Sequence, residues 1–261
     1  MTRMADRVPP GGVDSSTPNS ARIYDFMLGG KDNFAADRAA ATEILRAFPE
    51  SREGCRVNRK FLGDVVRYMA NEAGIRQFVD IGAGLPTQDN VHQVAQSVDP
   101  KAKVVYVDND PVVCVHGRAI LAAAPGVAMI EADMADAEKI LIGATETGLI
   151  DWSQPVGVLM VAILHHLPNP YAEVARIREA MAPGSYLAIS HLSMADSRRD
   201  DTTKLQSTYD SPRSVGLFPR TVEEITRFFG DFDLLDDTAF IAPSVLRRFA
   251  ALGWGALARK P

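Results

Sequence analysis

Arg76-Gln77-Phe78-Val79-Asp80-Ile81-Gly82-Ala83-Gly84-Leu85-Pro86, followed by Val104-Val105-Tyr106-Val107-Asp108-Asn109-Asp110-Pro111, is the stretch whose reading decides the fold. The first run is short and apolar and stops at an acid and two glycines. It reads as a buried strand opening into a turn too tight for side chains, where a ligand can approach the main chain. The second is another β-branched run closed by an acid. A carboxylate at the tip of a neighbouring parallel strand can accept both hydrogen bonds of a ribose diol.

Working outward, strands alternate with helices. Strands are expected at Gln77 to Ile81, Lys103 to Val107, Val127 to Glu131, Val156 to Ile163 and Tyr186 to Ser190. Helices are expected at Thr87 to Val98, Pro111 to Ala123, Asp136 to Leu141 and Tyr171 to Met181. This alternation predicts an α/β protein, a parallel sheet with helices on both faces and a ligand crevice at the carboxyl ends of the strands. Thr221 starts a further helix to Phe229, with Glu224 at capping-box spacing. Phe232 to Leu235 and about Arg248 to Ala258 are expected as two last strands, paired antiparallel. Upstream, Ile23, Phe26 and Met27 mark a helix closed by Gly29-Gly30, and Asp32 or Asn33 caps a second over Phe34 to Phe48. A third spans Ser51 to Asn71 with Val57, Phe61, Leu62, Val65, Val66 and Met69 as its apolar stripe. The expected organisation is a disordered tail over 1–19, a helical cap over 20–74 and a ligand-binding domain over 75–261, with the polar stretch 193–219 as a lid.

The totals narrow the function. The 261 residues suit one large α/β domain, and 46% hydrophobic content suffices for a core. A net charge of −5 and a pI near 5.6 argue against nucleic acid as a partner. Cys55 and Cys114 form no metal or disulfide pattern, and no run has membrane-spanning length, so a cytoplasmic protein with neither a metal nor a membrane partner is expected.

Two classes of nucleoside ligand compete for the glycine turn. A nicotinamide oxidoreductase would prefer G-x-G-x-x-G holding a pyrophosphate, but Gly84 is followed by Leu85-Pro86-Thr87-Gln88. Asp80, just before the turn, would repel a pyrophosphate yet can orient the ammonium of a methionyl ligand. That favours S-adenosylmethionine. Asp108, with Asn109 beside it, is assigned to the ribose, Asp133 to the adenine amino group, Met134 to the side of the base, and the Gly82-Ala83-Gly84 backbone to close approach. The plainer alternative is that these acids only cap helices.

The runs Ala21-Arg22-Ile23-Tyr24-Asp25, Leu28 through Asp37, Asn58-Arg59-Lys60-Phe61-Leu62, Gln77 through Thr87 and Val105 through Val113 carry a family resemblance, as do Ala182 through Leu187, Ile189-Ser190-His191 and the closing Arg259-Lys260-Pro261. The chain resembles the S-adenosylmethionine-dependent methyltransferases of actinomycetes formerly catalogued as a domain of unknown function. The resemblance, from about Pro18 onward, implies a Rossmann-like class I methyltransferase sheet of seven strands, the last antiparallel, and a bound S-adenosyl ligand, with no known substrate. His166 stands where a larger apolar residue is expected, and Thr238 to Ala250 departs from the expected spacing.

The fourth strand ends in Ala162-Ile163-Leu164-His165-His166-Leu167-Pro168, beside the crevice. His165 is the candidate base for an acceptor that must lose a proton, with His191 as runner-up and His166 as a substrate contact. Tyr24, Lys31, Asn33 and Arg59 are grouped as residues that close over the ligand. Tyr24 or Phe34 can face a sulfonium, and Lys31 and Arg59 a carboxylate. The expected activity is methyl transfer to a small molecule; the alternative is a non-catalytic sensor of the S-adenosyl ligand.

Overall fold

The computed structural model describes residues 14–86, 89–121, 124–193, 216–235 and 253–261. Residues 1–13 of the expected tail over 1–19, most of the expected lid (194–215), Thr87-Gln88, the expected helix end at 122–123 and the segment 236–252 lie outside the described residues, while Asn19 caps the helix Ser20–Met27 and Arg22 bonds the Asp14 and Thr17 carbonyls.

Seven strands form one sheet: β1 (Gln77–Ile81), β2 (Lys103–Asp108), β3 (Val127–Glu131), β4 (Gly157–Val161), β5 (Tyr186–Leu192), β6 (Asp233–Leu234) and β7 (Gly253–Arg259). Their order is β3-β2-β1-β4-β5-β7-β6. The pairs from β3 to β5 are parallel, and β7 runs antiparallel to both β5 and β6. The antiparallel pairing of the last two strands is as the sequence predicts. Strand order reverses between β1 and β4, the switch point at which open α/β sheets bind ligands.

Alternation along the strands sorts the core into two layers. Phe78, Val104, Leu159 and Ala188 face α3 (Ser51–Asn71) and α4 (Val91–Val98), where Phe61, Val65, Val66 and Met69 meet them fully buried. Val79, Ile81, Val105, Val107, Val158 and Ile189 face α6 (Ala137–Glu146) and α7 (Tyr171–Ala180). Each fully buried side chain of this size contributes about 1.5–3 kcal/mol. α5 (Pro111–Leu121) packs on β3 at the sheet's edge.

Because its stripe meets the sheet, α3 belongs by packing to this core. α1 (Ser20–Met27) and α2 (Ala35–Ala47) form a separate cluster of Ile23, Met27, Ala41, Ile44, Phe48 and Leu217 over the strand tips. Neither Asp32 nor Asn33 caps α2. Phe34 is the N-cap, and Asp37 reaches back to the Phe34 N–H at 2.8 Å. β4 stops at Val161, short of Ile163, because Ala162 turns to φ 59°. α6 runs on to Glu146, past the expected Leu141. α8 (Val222–Thr226) has the expected Thr221/Glu224 capping box and ends in a 3-10 turn over Arg227–Phe229.

Candidate active site

A cavity of about 530 Å³ opens where β1, β2 and β4 end beneath α1. Its size suits a cofactor-bearing small-molecule site. The glycine turn follows from the sheet register. Ile81 pairs with Val107, and the Val107 carbonyl then accepts the N–H groups of both Gly82 (2.8 Å) and Ala83 (3.1 Å). That sharp departure needs φ values of 75° at Gly82 and 66° at Gly84, the region glycine enters without a Cβ penalty. A Cβ on Gly82 would lie 2.6 Å from Ile163, whereas one on Gly84 would meet nothing nearer than Ala21 Cβ at 4.0 Å. The main chain at Gly84 is therefore open to a ligand.

The acids line the same cavity. Asp108 is buried; its Oδ2 accepts the Gly84 N–H (2.8 Å) and its Oδ1 the Asp110 N–H (2.9 Å). Each oxygen keeps a second lone pair for a diol. Burial raises the Asp108 pKa, opposed by those backbone bonds. Asp80 is 5% exposed, and burial drives its pKa up to about 7 against the pull of Arg59, with Asp108 adding repulsion. An ammonium placed there would relieve that carboxylate. Asp133 stands at the exposed rim, fastened by Asn109 Nδ2 (2.7 Å) and the Ala135 N–H (2.8 Å), while Met134 is buried beside it. An open glycine backbone, a carboxylate with lone pairs to spare and a second, buried carboxylate that a ligand cation would stabilise together fit S-adenosylmethionine.

Of the cap residues, Tyr24 and Arg59 line the cavity but Lys31 and Asn33 do not. Asp25 explains this: its Oδ2 takes the Asp32 N–H and Asn33 Nδ2, at 2.9 and 2.8 Å, which turns Asn33 inward as a loop brace and leaves Lys31 exposed. Phe34 carries the Arg22 guanidinium over its ring at 5.2 Å. Arg59 bonds the Asp89 carbonyl and Asn90 Oδ1.

His165, His166 and His191 all line the cavity. His165 lies 4.5 Å from the His166 ring and 5.4 Å from the His191 ring. Burial, then His166, His191 and Arg220, hold the His165 pKa well below the ordinary imidazole value. Its Nδ1 is buried and has no hydrogen-bond partner among the described residues, so a second ring N–H would be unsatisfied by them. This environment disfavours protonation of His165 and so weakens the candidate-base role expected from the sequence. His166 is lowered to about 4 by burial, and its Nδ1 faces the Gly216 carbonyl at 3.4 Å. His191 is lowered to about 3, chiefly by burial. With Nε2 taken by Arg220 and Nδ1 bonded to the Leu192 carbonyl, its ring has no nitrogen left for an acceptor.

Sequence reasoning missed three residues. Arg220 is a buried cation that reaches the histidine turn. Asn58 and Ser190 complete a polar chain: Tyr24 Oη donates to the Cys55 carbonyl (2.9 Å), Asn58 Nδ2 to Tyr24 Oη (3.0 Å), Ser190 Oγ to Asn58 Oδ1 (2.6 Å) and the Ala162 N–H to Ser190 Oγ (2.9 Å). Polar side chains on otherwise apolar stretches, Asn58 within the α3 stripe and Ser190 within β5, were the available signal.

A family model for S-adenosyl methyltransferases matches residues 6–243. The chain belongs to the S-adenosyl methyltransferase family. A candidate methyltransferase from Thermobifida fusca is 43% identical, with a TM-score of 0.87 over 97% of this chain and 98% of that one. A DUF574-family protein from Streptomyces avermitilis is 35% identical, with a TM-score of 0.85 over 95% and 99%. An O-methyltransferase family protein from Burkholderia thailandensis, 15% identical with a TM-score of 0.51 over 82% of this chain and 61% of that one, shares the fold. The curated proteins compared yield no match. The methyltransferase is an S-adenosylmethionine-dependent enzyme with the Rossmann-like class I sheet, and the nicotinamide alternative is set aside. Among the described residues, no helix is long and apolar enough to cross a membrane.

Proposed function

We propose that this methyltransferase transfers a methyl group to a small-molecule acceptor in the cytoplasm, with the cofactor held at the β1, β2 and β3 tips and the acceptor between the histidine turn and the cap. When bound, the cofactor supplies a methyl group on a positively charged sulfur, so the chain's task is alignment and exclusion of water more than charge stabilisation. Asp80 orients the methionyl ammonium and Asp108 the ribose diol. Asp133, braced by Asn109, takes the adenine amino group, Met134 flanks the base, and the Gly82-Ala83-Gly84 backbone allows close approach. Arg59, beside Asp80, meets the methionyl carboxylate. Tyr24 closes the cap side, and His165 and His166 contact the acceptor. The reading divides the expected cap over 20–74: α1 and α2 close over the strand tips as the cap, and α3 joins the domain over 75–261 through its core. The acidic net charge disfavours nucleic acid as acceptor, and two unpaired cysteines suit a reducing compartment.

The carrying observation is Asp108: buried at the end of β2, bonded to the glycine turn, with lone pairs left for a diol. Asp108→Ala is expected to weaken S-adenosylhomocysteine by about 10- to 100-fold, the loss of charge-assisted hydrogen bonds of ~1.5–3 kcal/mol. Isothermal calorimetry measures it, and unchanged affinity in a folded variant overturns the ribose role. His165→Ala is expected to keep that affinity and slow turnover; full activity would remove His165 from the acceptor site.

A further inference from the structure

A guanidinium stands behind the histidine turn. Arg220 is 6% exposed and follows the described residues Gly216 to Pro219, which return to the turn: the Phe218 N–H donates to the His165 carbonyl at 2.7 Å and the Arg220 N–H to the Leu192 carbonyl at 3.2 Å. Its side chain donates to the carbonyls of Leu164 (3.1 Å), Leu167 (2.9 Å), Pro168 (2.9 Å) and Phe218 (3.2 Å). The same fork reaches His191 Nε2 at 3.0 Å and lies over the rings of Tyr171 and Phe228 at 5.7 and 5.4 Å. So many carbonyls at fixed angles suit a rigid planar donor and not a lysine.

This geometry dictates a tautomer. A guanidinium only donates, so His191 Nε2 must present its lone pair, and the ring proton sits on Nδ1, where it is donated to the Leu192 carbonyl at 2.7 Å. His191 in turn meets His165 edge to face, with 77° between the rings. The charged or titratable groups facing His165 are His166 from its own turn, His191 from β5 and Arg220 from the segment before α8; Glu224 acts on His191 and Arg220 and is bonded to Thr221. None of these three brings a negative charge, and among the described residues the buried Nδ1 has no acceptor, so no described group holds an imidazolium.

We propose that Arg220 is the positioning residue of the acceptor subsite: its fork holds the Leu164–Pro168 turn and the Nδ1–H tautomer of His191, and so presents His165 to the acceptor as a neutral imidazole that hydrogen-bonds instead of removing a proton. The acceptor is then a nucleophile whose attacking atom already offers a free lone pair in its resting protonation state. This deepens the proposed function and rests on the acceptor lying at the histidine turn.

The test is nitrogen NMR of the full-length protein labelled at histidine, with the five rings assigned by single His→Gln variants, beside calorimetry with S-adenosylhomocysteine. Wild type is expected to show His191 as Nδ1–H, with His165 and His191 not titrating between about pH 5 and 8. In Arg220→Met, His191 is expected to become a tautomer mixture and at least one of the two rings to titrate in that window. S-adenosylhomocysteine affinity should change by less than about twofold, since Arg220 does not line the cavity that Asp80, Asp108 and Asp133 line. Arg220→Lys, which keeps the charge but loses the fork, is expected to retain neutral rings and to lose the single tautomer. The proposal is overturned by a wild-type His191 carrying Nε2–H, by wild-type His165 titrating near its ordinary value, or by a folded Arg220→Met with both signatures unchanged. Should Arg220→Met not fold, the wild-type spectrum and Arg220→Lys decide. Failure of wild type to bind S-adenosylhomocysteine would instead overturn the cofactor reading and leave the tautomer measurement standing.

Discussion

Asp80 shows how much a single residue can set. Its pKa in the fold, about 7, lies above the usual carboxylate value, so folding favours its protonated form. The sign follows: its contribution to stability is fully present below about pH 4 and is lost as pH rises through about 7. Ligand binding runs the other way, because an ammonium prefers the carboxylate. Affinity for S-adenosylhomocysteine is therefore expected to rise about tenfold from pH 6 to pH 8, as the ionised fraction of a group titrating at about 7 grows. Asp80→Asn should bind weakly with no such slope. Calorimetry across that range checks both, and a flat wild-type profile would remove Asp80 from the ammonium site. At Gly82 the constraint is steric. Gly82→Ala places a methyl group 2.6 Å from Ile163 at a φ of 75°, so a loss of ~1–2 kcal/mol from the backbone alone is expected in a urea titration.

Among elements, the join of β4 to the histidine turn is the most constrained. Ala162 adopts a positive φ without being glycine, a conformation costing about 1–3 kcal/mol that persists only where neighbours impose it. Ser190 does so from β5: its Oγ and its carbonyl both accept the Ala162 N–H, and its hydroxyl passes the connection to Asn58 on α3 and thence to Tyr24 on α1. Ser190→Ala leaves Asn58 Oδ1 without its donor and releases half of the hold on Ala162. The expected cost is ~1–3 kcal/mol in chemical denaturation. Turnover should fall more than S-adenosylhomocysteine affinity, because the disturbed backbone carries His165 and not the cofactor acids. A variant as stable as wild type would show that the chain does not hold the turn.

At the scale of the whole molecule, the cap is tied to the loop after β2 through buried charge. Arg22, on α1, lies 3.5 Å from Asp37 on α2 and 4.0 Å from Asp110, which follows β2 and accepts the Val112 N–H at Oδ1. Asp37 also accepts the Asn19 and Phe34 N–H groups. Asp37→Ala leaves a guanidinium partly uncompensated, and a loss of roughly 3–5 kcal/mol is expected from thermal unfolding. Saturating S-adenosylhomocysteine should recover part of it, since a ligand at about 100 times its dissociation constant stabilises by ~2.7 kcal/mol. No recovery would separate cap docking from cofactor binding. The sequence by itself determined the sheet, the antiparallel last pair, the glycine turn and the acids at three strand tips, because those signals are local: a period of two, a glycine where φ turns positive, a carboxylate at the end of an apolar run. Only the tertiary structure decided that Lys31 and Asn33 stand apart from the cavity, that α3 packs with the sheet, that His191 is already bonded at both nitrogens, and that Arg220 bonds the turn. Those outcomes rest on contacts between side chains remote in sequence, such as Ser190 with Asn58 across 132 positions and Arg220 with Leu164 across 56, and a pattern confined to neighbouring residues carries no record of where such partners meet.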